Sequence, residues 1–159
     1  MHFRFIFLSC LLAGCTAASP WKLETISTGN PSFDSARLSY SDNDSPLRFE
    51  IVRMETNIEA FLNLKKYKFT PSEKVKIEFY IDGEKTTETV PFLEGKMRLR
   101  VPQETARKVI EALQEGREVV IMVDGFEERI YPERFKKQYE KLAGESALFR
   151  NPFKGLFDP

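Results

Sequence analysis

Histidine occurs once in this chain of 159 residues and cysteine twice. His2, Cys10 and Cys15 all lie at the N-terminal end, so the body of the chain carries neither imidazole nor thiol. That excludes, for the body, Ser-His-Asp and Cys-His catalysis, zinc sites built on His or Cys, and any disulfide framework. Carboxylates, Lys, Tyr, Ser and Thr remain as catalytic candidates, and neither a metal nor another cofactor is expected. An excess of charge of one sign is also missing. The 24 basic and 24 acidic residues balance, which leaves no general pull on a polyanion, and no nucleic-acid partner is expected. Long hydrophobic runs are absent too: residues 5–12 form an apolar stretch too short to span a bilayer as a permanent helix.

That short run has the layout of an export leader. Arg4 supplies the positive start and Phe5 to Leu12 the apolar core. The next residues complete Leu12-Ala13-Gly14-Cys15, which resembles the bacterial lipobox. The resemblance implies that residues 1–14 are removed and that Cys15 carries diacylglycerol on its sulfur as the new N-terminus. The competing reading is an ordinary secretory leader cut near Ala17-Ala18. Each buried methylene contributes about 0.8 kcal/mol, so two or more acyl chains anchor a protein without a membrane helix. In this lipoprotein class Thr16, in place of Asp, implies delivery to the outer membrane. Loss of Arg4 with the leader leaves 23 bases against 24 acids.

Residues 15–46 are rich in Ser, Thr, Asn, Asp and Pro, the composition of a tether. Alternation over Trp21–Ile26 and at Ala36, Leu38 and Tyr40 adds two candidate edge strands. A globular domain is expected over 47–144. Leu47, Phe49 and Ile51 alternate with polar neighbours, as do Ile58, Ala60, Leu62 and Leu64, then Val75, Ile77, Phe79 and Ile81. Asp82-Gly83 and Glu94-Gly95 punctuate two further strands, Thr86 to Leu93 and Met97 to Val101, in what reads as an antiparallel meander. The period changes to about 3.6 at Ala106, Val109, Ile110 and Leu113, between Pro102 and Gly116, and again at Phe135, Tyr139 and Leu142, between Pro132 and Gly144. Between these helices Val119–Val123 is apolar at every position, which predicts a central strand, and Asp124-Gly125 turns it into Phe126 to Tyr131. The expected fold is mainly β (α+β), an antiparallel β-sandwich or meander of about 7–8 strands with two short helices. Residues 145–159 form an aromatic tail in which Leu148, Phe149, Phe153, Leu156 and Phe157 need cover from the domain or a partner.

Several side-chain groups carry more than one reading. Asp82 and Asp124 both sit in Asp-Gly turns, and a paired-carboxylate site would need them a few ångströms apart. Glu127-Glu128, Asp42-Asn43-Asp44 and Glu84 lack the spacing of a calcium loop. Lys65-Lys66-Tyr67-Lys68-Phe69 mixes bases and aromatics, and Lys74, Arg98, Arg100, Lys136 and Lys137 would extend that surface towards anionic lipid or polysaccharide. Phe149, Phe153 and Phe157 are candidate partner-binding residues in an exposed tail.

The order of elements, from Trp21 through strands over Leu47 to Met54 and ending at Ile81-Asp82-Gly83, a helix before Gly116 and a Phe135-led terminal segment, resembles small exported β-rich accessory proteins. These are the type VI secretion-associated TagO-like and the invasion-associated-locus-B-like groups. The resemblance implies an accessory role without catalysis. The expected function is a lipid-anchored envelope protein of the bacterial outer membrane, a non-enzymatic binding, structural or secretion-accessory module that contacts another envelope or secretion-system protein. The alternatives are a carboxylate-dependent hydrolase of cell-wall or lipid substrates and a soluble ligand carrier using the interior of a sheet.

Overall fold

The computed structural model describes residues 19–26, 35–40, 45–54, 57–65, 73–93, 95 and 97–144. The strands are β1 Trp21–Ile26, β2 Ser35–Tyr40, β3 Leu47–Met54, β4 Asn57–Leu64, β5 Lys74–Ile81, β6 Glu84–Pro91, β7 Arg98–Val101, β8 Val119–Val123 and β9 Phe126–Ile130. Helix α1, Gln103–Gln114, lies between β7 and β8, and α2, Phe135–Ala143, follows β9. The fold is α+β, with two antiparallel sheets ordered β1-β2-β3-β4-β7 and β6-β5-β8-β9.

Period-two alternation assigns each strand a buried and an outward side, but not a sheet. Of the two expected arrangements, sandwich or meander, the strands form the sandwich. After β4 the chain leaves the first sheet, makes the β5–β6 hairpin in the second, and returns as β7 beside β4. A bridge from Phe92 to Leu99 and a 3.0 Å bond from the Leu93 N–H to the Arg98 carbonyl join the sheets at that corner. Both candidate strands before Leu47 are formed, β1 at the sheet edge and β2 inside it. They bring Trp21, Leu38 and Tyr40 into the core, so this part of the 15–46 stretch is folded. With these two, the strand count exceeds the expected one.

Trp21 ties the two ends of the described chain together. Its ring lies 4.9 Å from Tyr40, 4.7 Å from Phe135 and 6.5 Å from Phe49, and its indole N–H donates to the Tyr131 carbonyl at 3.0 Å. Helix α2 thereby covers the inner side of β1 and β2, with Phe135 stacked on Tyr139 at 5.5 Å. Helix α1 starts at Pro102, whose carbonyl accepts the Ala106 N–H, and stops in a Schellman motif at Gly116. At φ +82 that glycine occupies the left-handed region, which costs a residue with a Cβ. Thr105, Ala106, Val109, Ile110, Ala112 and Leu113 form its buried stripe.

β8 does lie between β5 and β9, yet only Val119, Ile121 and Val123 face the core. Met122 on its other side is 37% exposed. Apolar composition on both parities thus marks an interior position within the sheet, not cover on both faces.

Candidate functional site

The register puts Asp82 and Asp124 at opposite ends of the second sheet. Ile81 pairs with Val119, whereas Val123 pairs with Ile77, so the two turns are roughly 20 Å apart at about 3.3 Å per residue. Both aspartates adopt left-handed backbone, φ +51 and +49, each followed by a glycine in the same region. They are hairpin-turn residues of the primed type, and no shared acid/base site forms between them. Glu128 is buried on the core side of β9, while Glu127 points outward and pairs with Arg129 at 3.5 Å. Among the described residues no group of three or more His, Cys, Asp or Glu side chains converges on a metal position.

A cleft of about 320 Å³ lies between α1 and the β5–β6 turn, lined by Ile81, Asp82, Glu84, Thr86, Lys108, Glu111 and Arg117. Asp82 accepts from Arg117 at 2.9 Å, and Glu111 from Arg107 at 2.9 and 3.0 Å. The guanidiniums of Arg117 and Arg107 thus pair with two of the three carboxylates that line the cleft.

A more unusual arrangement occupies the outward face of the five-stranded sheet. Residues 39, 50 and 61 form one cross-strand line on the side away from the core. Outward positions normally meet water. Here Glu50 is only 4% exposed and Phe61 7%, and Phe61 is not part of the core cluster. Long cationic side chains supply the cover. The Arg98 guanidinium lies 3.7 Å from the Phe61 ring centre, a cation–π stack. Arg37, Arg48 and Arg98 approach the Glu50 carboxylate at 3.9, 3.7 and 3.5 Å. These are ion-pair distances, longer than well-formed hydrogen bonds.

The flanking rows extend the pattern. Arg37 also bonds Glu24, which pairs with Lys22 at 2.7 Å, and Arg100 bonds Glu59. Hydrogen bonds from Lys22 and then Arg37 hold the Glu24 carboxyl down to about 2. Asn63 and Arg98 are register partners on β4 and β7, and Asn63 Nδ2 and Arg98 Nε are both buried donors without an acceptor among the described residues. The face is thus rich in donors and in positive charge. Lys22, Arg37, Arg48, Arg98 and Arg100 stand against Glu24, Glu50 and Glu59, five bases to three acids among its described residues.

The basic surface expected from the sequence is not assembled as expected. Arg98 and Arg100 are on this face, but Lys74 opens β5 in the other sheet, and Lys136 and Lys137 are exposed on α2. Residues 66–69 lie outside the described residues, as do Cys15, the Asp42-Asn43-Asp44 run, Phe149, Phe153 and Phe157. Sequence reasoning missed Arg37, Arg48, Glu50 and Phe61 as a group. The available signal was Phe61, an aromatic on the polar parity of β4, but linking it to Glu50 required the register. No family model, no curated protein and no solved structure matches the chain, so the roles of its residues rest on this geometry alone.

Proposed function

We propose that this chain is a lipid-anchored, non-enzymatic binding module of the bacterial envelope, held in the outer membrane through acylated Cys15, that contacts another envelope component through the outward face of its five-stranded sheet. The observation that carries the recognition part is the three-arginine cover over Glu50 and Phe61. The guanidiniums over Glu50 and Phe61 present planar forks of donors, which match carboxylate and phosphate oxygens better than the point charge of a lysine. The Leu12-Ala13-Gly14-Cys15 sequence supports the anchor.

Mass spectrometry of the protein purified from envelope fractions tests the anchor. The expected mature protein begins at Cys15 and carries acyl chains. A bare thiol at Cys15, or retention of residues 1–14, sinks this reading. Truncation after Gly144, where α2 ends, tests the aromatic tail as the contact instead. Unchanged stability with loss of an envelope cross-link would move recognition to Phe149, Phe153 and Phe157, and unfolding would make those rings part of the core.

A further inference from the structure

We propose that the outward face of the five-stranded sheet lies against the membrane that holds the anchor, with Arg48 and Arg98 contacting phosphates of anionic phospholipid headgroups. This inference rests on acylation of Cys15 and adds an orientation to it.

Only five residues lie between Cys15 and Trp21, the first residue of β1, so the bilayer surface lies within roughly 20 Å of that point even with the leash fully extended. The register then states which part of the sheet is near. Trp21 pairs with Tyr40 and Tyr40 with Phe49, so the Leu47-Arg48 end of β3 is the Trp21 end of the sheet. Arg48 pairs with Asn63, and Asn63 with Arg98. The row Arg48-Asn63-Arg98 therefore crosses the sheet at the end where the anchor enters. Ile26, Met54 and Asn57 lie at the other end.

Charge complementarity selects the occupant. The mature chain carries 23 bases and 24 acids, whereas this face carries five bases and three acids. An anionic surface consequently turns the molecule with this face towards itself. Arg48 and Arg98 share the single carboxylate of Glu50, so the pair keeps an excess of positive charge. The fork of a guanidinium matches phosphate oxygens. The short leash makes this second contact intramolecular, so individually weak headgroup contacts suffice.

The test uses the mature lipidated protein on phosphatidylcholine vesicles with and without phosphatidylglycerol. A fluorophore is placed at Pro46→Cys, on the chain leading into β3, and in a second sample at Thr87→Cys, on the exposed outer side of β6. With Cys15 acylated and Cys10 removed with the leader, each label has one thiol to react with. Quenching by headgroup-labelled lipid is expected to be strong at position 46, weak at position 87, dependent on phosphatidylglycerol and lost at high salt. Arg48→Gln with Arg98→Gln lowers the face-down population by roughly thirtyfold, while flotation with the vesicles persists through the acyl chains. Arg48→Lys with Arg98→Lys, checked for folding by circular dichroism, restores the part of it that charge alone supplies. Equal quenching at the two positions, or quenching unaffected by the Gln pair in protein that still floats, overturns the orientation and leaves the anchor standing. Arginine-dependent binding of polyglutamate without vesicle orientation overturns it in favour of an acidic polypeptide. Failure to float, with a bare Cys15 thiol, overturns the anchor and this inference together.

Discussion

The two sides of the five-stranded sheet are built from alternate residues of the same strands, yet they are covered in different ways. On the inner side Trp21, Tyr40, Phe49, Leu62 and Leu99 share one cross-strand row, buried under α2 and the second sheet. One residue away along each strand, Lys22, Ser39, Glu50, Phe61 and Arg100 form the next row on the opposite side. There the long side chains of Arg37, Arg48 and Arg98 are the cover for Glu50 and Phe61, and these side chains are themselves about two-fifths exposed. The inner side is closed by other secondary structure and defines the fold. The outer side is closed by side chains that can swing aside, so burial there coexists with availability to a partner.

Truncations should separate the two kinds of cover. Phe49→Ala removes a fully buried ring from beneath Trp21, in a place where two layers restrict relaxation. The expected loss is about 3–5 kcal/mol, read from urea unfolding. Phe61→Ala removes a ring of equal size from under mobile guanidiniums that can settle into the space. Its expected cost is smaller, about 2 kcal/mol, because the site collapses more readily. Equal losses at the two positions would mean that the outer cover is as rigid as the core. On the inner side Tyr139 is fully buried, and its hydroxyl has no hydrogen-bond partner among the described residues. Burial pushes that phenol well above its ordinary value, so it stays neutral and gains nothing for its desolvation. Tyr139→Phe should raise stability by about 1 kcal/mol, and a loss of similar size would show that the hydroxyl has an acceptor after all.

The inner side was largely legible in the sequence. Leu47, Phe49 and Ile51, and Ile58 through Leu64, gave their buried parity directly, and Gly116 and Gly144 marked the helix ends, because period and turn chemistry are local properties. The sheet in which each strand sits was not legible, since the return of β7 to β4 depends on pairing across a long excursion through the β5–β6 hairpin. The outer side was the least legible. Glu50 reads as an ordinary solvent-facing residue until β2, β4 and β7 bring Arg37, Phe61 and Arg98 alongside it. Asp82 and Asp124 illustrate the opposite case. Their turn chemistry was plain from Asp-Gly, and only the β5–β8 register shows how far apart the turns lie.

The smallest expected effect concerns the edge of the outer face. Glu24 lies beside Lys22 and Arg37, whose hydrogen bonds hold its carboxyl near 2, below the 4.5 of an unperturbed glutamate. A depressed acid contributes stability that is fully present above about pH 4.5 and is lost as pH falls through about 2. The Glu24 side chain is about one-third exposed, so solvent screening reduces the contribution to under about 1 kcal/mol. Glu78, on the outer face of the other sheet, is held to about 2 in the same way by Lys76, Lys85 and Tyr80, and with its side chain 17% exposed it offers a second carboxylate of the same kind. Urea unfolding near neutral pH and near pH 3 should show a slightly shallower acid loss for Glu24→Gln than for the unmodified chain, and Glu78→Gln should shift it in the same direction. A steeper acid loss in Glu24→Gln would reverse the sign of this coupling, and would mean that the Lys22-Glu24-Arg37 row adds nothing to the cover on that side of the sheet.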